Sequence, residues 1–287
     1  MSKVTVAAVQ MTYGLKQAIE KVEEAAAQGA QIILLPELFE NWYFCQERNY
    51  DSYHLATTME ENPAIARLRE LARDFRVVLP VSYYERVGNT TFNTVAVIDA
   101  DGTVLGQYRK THIPDDHFYQ EKFYFTPGDT GFRVLDTAYA KIGVGISWDQ
   151  WFPEAARCMA LEGAELLFYP TAIGSEPILD CDSMPHWRRC MQGHAAANLM
   201  PVIAANRIGT ETVMPSEANQ NQSSSLTFYG SSFIADETGA LVEQADRESA
   251  GVLTHTFDLD AVRELRQSWG VFRDRRPSMY GAITRHG

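Results

Sequence analysis

The chain has no long apolar run. Its most continuous stretches, "IILLP" (32–36) and "ELLFYP" (165–170), are strand-sized, whereas a helix needs roughly 20 apolar residues to span a bilayer. A membrane-spanning helix is therefore excluded. Cysteine is scarce too. Cys45, Cys158, Cys181 and Cys190 form no CxxC pair and no zinc-like spacing with histidine, which excludes a zinc-ribbon motif and leaves free, structural thiols. Positive charge is in deficit, with 25 Lys and Arg against 37 Asp and Glu for a net charge of −12. A nucleic-acid partner, which needs a concentrated basic face, does not fit; an enzyme favouring cationic small molecules does. The single basic run, "FRDRRP" (272–277), reads as an ion-paired surface or a subunit contact. No Pro/Gly/Ser-rich linker divides the chain, and 45% apolar content over 287 residues suffices for one large core, so residues 1–287 are expected to form a single domain. The opening "MSKVTVAAVQM" enters a strand pattern at once, without signal-peptide character, and a cytoplasmic location is the expectation.

What is present is alternation. Val4 to Met11 reads as a strand, and Leu15, Ala18, Ile19, Val22, Ala25 and Ala26 mark one helical face ended by Gly29. "QIILLPEL" is a continuous apolar strand of the kind buried on both faces. Asn62 and Pro63 cap a second helix, and three strands follow, the last two joined as a hairpin at Asp101-Gly102. The second half repeats the theme: strand "AKIGVGIS", helix "PEAARCMALEG", strand "AELLFYPTA", helix "HWRRCMQGHAAANLM", strand "PVIAANRIG", and "LTFYGSSFIADETG" as a strand into a turn. "TETVMPSEANQNQSSS" (210–225), polar and turn-rich, reads as a mobile surface loop. The pattern predicts an α/β protein with helices covering sheets, in two loosely related halves.

Chemistry in such folds collects beyond the carboxyl ends of strands. Glu37, Lys110, Ser147 and Glu176 all stand at such exits. A glutamate directly after five apolar residues is unusual, because a buried carboxylate needs a partner. Ser147 sits where a nucleophile would, in "GVGISWDQWFPE" (143–154). A serine-hydrolase elbow requires G-x-S-x-G, but a tryptophan follows the serine and the second glycine is missing; no histidine is placed to serve as its base. His112, His186 and His194 lie in separate elements at irregular intervals and read as structural, so no metal is expected.

Several segments in order, "LPELFE", "YRKTHIPD", "YQEKFYFTPGDTGF", "GVGISWDQWFPE", "FYPTAIGSEP", "QGHAAANLMP", "FYGSSFIAD" and "WGVFRDRRP", resemble the nitrilase superfamily of carbon–nitrogen hydrolases across nearly the whole chain. The resemblance implies a four-layer α-β-β-α sandwich and a Glu–Lys–Cys triad. It places the glutamate at Glu37, the lysine at Lys110, the cysteine at Ser147 and a second glutamate at Glu121. It further implies an amidohydrolase without metal or organic cofactor, assembled as a homo-oligomer, with the segment from about 268 in subunit contacts. The implied reaction is hydrolysis of N-carbamoylputrescine to putrescine, ammonia and carbon dioxide through a carbamoyl-enzyme.

Beyond a "TYG" connection shorter than the family's and a "PDDHFYQEK" loop without its usual glycines, which leaves the position of Glu121 less fixed than that of Glu37, two features bear on activity and substrate. The nucleophile is a hydroxyl, which is weak until an aligned base removes its proton, whereas a thiol ionises more readily. The expectation is an inactive variant that still binds ligand: either a cysteine replaced by design, which the intact surroundings favour, or a natural inactive relative. Secondly, family members acting on N-carbamoyl amino acids carry arginines just after the nucleophile, and here those positions are Gln150 and Trp151. Without that clamp, an anionic substrate is disfavoured. Glu176 is then the candidate acceptor for a substrate ammonium, with Trp148, Trp151 and Tyr119 walling an aliphatic chain. A β-ureidopropionase, an ω-amidase and a non-catalytic carbamoyl- or amide-binding protein are the alternatives.

Overall fold

A computed structural model describes residues 2–286. Its elements run β1 (Lys3–Gln10), α1 (Leu15–Ala27), β2 (Ile32–Leu34), α2 (Pro63–Phe75), β3 (Leu79–Val87), β4 (Thr90–Ile98), β5 (Val104–Arg109), β6 (Val134–Asp136), β7 (Lys141–Val144), α3 (Pro153–Leu161), β8 (Leu166–Pro170), α4 (Met184–Asn198), β9 (Val202–Ala205), β10 (Ile208–Val213), β11 (Ser224–Tyr229), β12 (Phe233–Ala235), β13 (Leu241–Gln244), β14 (Gly251–Asp258) and α5 (Leu259–Trp269).

The halves repeat one topology. In the first, β14 runs antiparallel to β1, and β1 parallel to β2. A parallel bridge from Ile32 to Val78 leads on toward β3, and β4 and β5 continue antiparallel. The second half has β6 antiparallel to β7, then β7, β8 and β9 parallel, then β12 and β13 antiparallel. In each half the two parallel crossovers carry a helix: α1 and α2 in the first, α3 and α4 in the second. A parallel pair needs such a crossover, and its helix must cover a sheet face.

Strand alternation then builds the layers. On β1, Ala7 and Val9 face outward and pack with Ala18, Val22 and Ala25 of α1 and with Leu68 and Leu71 of α2. Val6 and Ala8 face inward, into a core that holds Val95 and Val97 of β4, Leu167 of β8 and Ile203 of β9, and that extends to Trp187 and Met191 of α4. The result is the expected four-layer sandwich, helices outside and sheets face to face.

Local chemistry sets the boundaries. Asn62 caps α2, its side chain accepting from Ile65 N at 2.8 Å, with Pro63 at the first turn where a missing N–H is harmless. The Asp101-Gly102 turn forms, Gly102 taking a φ of 83°. Three expectations need correcting. Only Ile32–Leu34 of "QIILLPEL" joins the ladder; Pro36 has no N–H to donate, and the chain turns there. "LTFYGSSFIADETG" is two strands, broken where Gly230 and Ser231 both adopt positive φ, so that β11 pairs with β10 while β12 pairs with β9. The 210–225 segment is not loop throughout, because residues 210–213 and 224–225 belong to strands. It supplies most of the β10–β11 hairpin, and its tip is tied down through Asn219, which is buried and donates to Met214 O at 3.0 Å and to Glu47. The strands β6, β13 and β14 and helix α5 carried no expectation. Among the described residues no helix is long and apolar enough to cross a membrane.

After β8 the chain runs flat against β11. Gly174 bridges Phe228, and a Cβ there would stand 2.3 Å from Thr227 O and 2.7 Å from Phe228 Cα. Backbone cannot yield as a flexible side chain can. Gly174→Ala is therefore expected to lower stability by about 1–3 kcal/mol, read as a fall in the denaturant midpoint; an unchanged midpoint would show that this approach is not close.

Candidate active site

Three of the four strand exits marked in the sequence meet or adjoin one another. Glu37 lies in the turn after β2 and Lys110 directly after β5. The Lys110 ammonium donates to Glu37 Oε1 at 2.8 Å and to Glu121 Oε2 at 2.6 Å. Glu37 and Lys110 side chains are wholly buried and Glu121 nearly so. A buried ion needs its remaining positions filled, and neighbours fill them: Asn93 Nδ2 donates to Glu37 Oε1 at 2.7 Å, and Tyr43 OH to Glu121 Oε1 at 2.7 Å. The second Glu37 oxygen, Oε2, is buried without a partner. An unfilled carboxylate oxygen in such a place is the position from which a base can act.

Two carboxylates share one ammonium. Burial pushes the Glu121 carboxyl up to about 7, and the Glu37 charge adds to this against the opposing pull of Lys110 and Tyr43. Burial alone would push the Lys110 ammonium down, but Glu121 and Glu37 outweigh it and hold it above the ordinary lysine range. Cys45, also fully buried nearby, is pushed well up by burial and by the Glu121 charge, so its thiol stays protonated.

Ser147 opens a short 3₁₀ segment, Ser147–Trp151, just past β7. Its φ of 38° is left-handed, a conformation that costs a non-glycine residue on the order of 1–3 kcal/mol and collects at functional turns. Asp149 holds the turn. One of its oxygens accepts from Ile146 N at 2.9 Å and Tyr108 OH at 2.7 Å; the other accepts from His112 N at 3.0 Å and His112 Nδ1 at 2.7 Å. Tyr108 and His112 flank Lys110 by two residues on either side, so the Ser147 turn is pinned to the lysine corner. The His112 ring also stacks on Phe152 at 3.6 Å.

The remaining candidates divide. Tyr119 is buried, its hydroxyl accepting from Gly174 N at 3.0 Å and donating to Ser175 O at 3.2 Å. It thereby joins the Glu121 loop to the Glu176 segment. Glu176 is half-buried and lines a cavity of about 610 Å³ with Cys181, Tyr229 and Arg247; burial and then the nearby Asp116 charge push its carboxyl up. Trp148 is exposed and meets Trp151 edge-on at 6.2 Å. Gln150 is not brought to an open face. It is buried, its side-chain oxygen accepting from Trp187 Nε1 at 2.7 Å and its carbonyl from His194 Nε2 at 2.7 Å, so it fastens the Ser147 turn to α4.

Sequence reasoning passed over Tyr43, Asn93, Asp149 and Arg207. Arg207, wholly buried, breaks an apolar run in "AANRIG" just as Glu37 does in "IILLPE", and the same anomaly would have flagged it.

The carbon-nitrogen hydrolase family profile matches residues 5–267. The N-carbamoylputrescine amidase of Arabidopsis thaliana is 57% identical over 263 residues, covering 91% of this chain and 87% of that protein. The citrullinase of Francisella tularensis is 51% identical over 292 residues, covering 99% of each. Among solved structures, a carbon-nitrogen hydrolase from Helicobacter pylori matches with a TM-score of 0.89 at 36% identity, over 99% of both chains.

The raised Glu121 carboxyl has a thermodynamic signature. Its folded pKa of about 7 exceeds the ordinary 4.5, so its contribution to stability is complete below the unfolded value and is lost as pH rises through 7. Glu121→Gln cannot titrate. Between pH 4.5 and 8 the unmodified chain should lose about 3 kcal/mol relative to this variant, measured by denaturant melts across that range. Parallel pH curves for the two proteins would remove Glu121 as the titrating group.

Proposed function

Because the chain belongs to the carbon-nitrogen hydrolase family, we propose that its site is built to hydrolyse the ureido group of N-carbamoylputrescine, and that Ser147 leaves it binding this substrate with little turnover. The observation that carries the reading is the buried Lys110 ammonium bridging Glu37 and Glu121, with Glu37 Oε2 unpaired. In the cysteine form, Glu37 takes the nucleophile's proton and sulfur attacks the ureido carbon. The oxyanion is met by Lys110 and the Trp148 backbone N–H. Glu37 returns the proton to the departing nitrogen, leaving a carbamoyl-enzyme. Water, activated by Glu37 and positioned with Glu121, cleaves it, and putrescine, ammonia and carbon dioxide result. No metal or organic cofactor enters these steps.

Serine interrupts the sequence at its first step. A carboxylate takes a thiol proton far more readily than a hydroxyl proton, so the same base activates serine poorly. The pocket chemistry is unchanged by the swap, which favours a binding-competent, catalytically impaired chain.

Glu176 is the proposed partner of the substrate ammonium, with Tyr119, Trp148 and Trp151 along the aliphatic arm. Gln150 contributes by holding the turn. A second reading, citrulline, keeps the ureido group and is favoured by the 51% identical citrullinase; its far end also carries an ammonium, but beside a carboxylate that Glu176 would repel. We place the segment from about 268 in subunit contacts of a homo-oligomer, since Trp269, Met279 and Ile283 there are exposed.

Ser147→Cys is expected to raise ammonia release from N-carbamoylputrescine at least about a hundredfold. No gain would leave a non-catalytic binder as the better reading. In the same variant, Glu176→Gln should raise KM about tenfold with kcat nearly unchanged. Preference for 3-ureidopropionate or citrulline over N-carbamoylputrescine would overturn the assignment of Glu176.

A further inference from the structure

Arg207 is the largest charged side chain in the interior, with no exposed surface. It sits between β9 and β10, far along the chain from Glu37, yet two of its four hydrogen bonds go to that glutamate's carbonyl and a third to the next one. Nε donates to Glu37 O at 3.2 Å, Nη2 to the same oxygen at 3.1 Å and also to Leu38 O. Two successive carbonyls can face one guanidinium because Leu38 is left-handed, with φ 49°. Such a conformation persists only where its surroundings over-determine it. Leu38 N, on the other side, donates to Ser82 Oγ at 2.9 Å.

The charge on Arg207 is balanced by Glu211, four residues on. Nη1 donates to Glu211 Oε1 at 3.1 Å, and Glu211 Oε2 accepts from Tyr43 N at 2.6 Å. Tyr43 in turn donates its hydroxyl to Glu121. The contacts close a ring: Arg207 to Glu37, Glu37 to Lys110, Lys110 to Glu121, Glu121 to Tyr43, Tyr43 to Glu211, and Glu211 back to Arg207. Both carboxylates around Lys110 are thus anchored, through different atoms, to one ion pair between Arg207, just before β10, and Glu211 on it.

We infer that Arg207 and Glu211 are positioning residues, a clamp that holds the main chain carrying Glu37 and Tyr43 so that the unpaired Glu37 oxygen stays in its working place. This rests on the reading of Glu37 as the base. A guanidinium suits the task because its planar fork serves two carbonyls and a carboxylate together, which an ammonium cannot do in one plane. Displacing a catalytic group by about 1 Å can cost on the order of a hundredfold in rate, so a loose clamp should affect chemistry before binding.

The test uses the Ser147→Cys protein and two second-site variants, Arg207→Lys and Glu211→Gln. The first readout needs no substrate: the rate at which iodoacetamide alkylates the thiol introduced at position 147, followed by mass spectrometry of its peptide against pH. Both variants are expected to slow this alkylation about tenfold near neutral pH while the folded fraction is unchanged. The second readout is ammonia release from N-carbamoylputrescine, where kcat should fall about 10- to 100-fold with KM within about threefold. Should Arg207→Lys fail to fold, Glu211→Gln alone decides, since it keeps the shape while removing the charge and one of the two acceptors. Equal alkylation rates and equal kcat in a folded variant would overturn the clamp. A matching loss of substrate affinity and rate would overturn it too, as the mark of general disorder. Absence of ammonia release in the Ser147→Cys parent would instead count against the proposed reaction, while the alkylation rates still judge the clamp.

Discussion

One ammonium, that of Lys110, lies out of water between two carboxylates. Removing a charge from solvent costs several kcal/mol unless partners restore what water supplied, so the structure around it is constrained. Asn93 and Tyr43 must point inward, and both are buried to do so. Two acids against one base leave an excess negative charge, and burial raises the Glu121 carboxyl above its ordinary range. The site is therefore asymmetric. One carboxylate is fully engaged, while Glu37 keeps an open oxygen.

The repeated sheets explain how such a cluster is held. Strands of the two halves run in corresponding order, and their ends deliver Glu37, Lys110 and Ser147 from β2, β5 and β7. Rigid elements place side chains more accurately than loops can. The β10–β11 hairpin, outside the repeat, lies beside this layer, and through Arg207 and Glu211 it touches the main chain on both sides of the cluster. A hairpin outside the repeated sheets is thereby tied to the buried ion cluster.

At the proposed nucleophile position the turn is held from several sides. Ser147 takes the strained φ, and Asp149 secures the turn to residues on either side of Lys110. On the proposed function, the one change at this position is oxygen for sulfur. Stability and ligand recognition depend on shape and charge, which the swap leaves nearly intact; proton removal depends on acidity, which it changes by several orders of magnitude.

Much was legible in the linear chain. Alternation of apolar strand and amphipathic helix specified the α/β class, Asn62-Pro63 and Asp101-Gly102 marked real boundaries, and a glutamate closing an apolar run pointed to Glu37. These signals are local, set by backbone periodicity and by the cost of burying a charge. The short β2, the split at Gly230–Ser231 and the pairing of β10 with β11 were not legible, since each depends on which other strand offers a partner. Nor could spacing reveal that Arg207 reaches back to Glu37, or that Gln150 turns away into α4. Side-chain direction at a buried polar residue is decided by the donors and acceptors that folding brings to it, and only the assembled structure contains them.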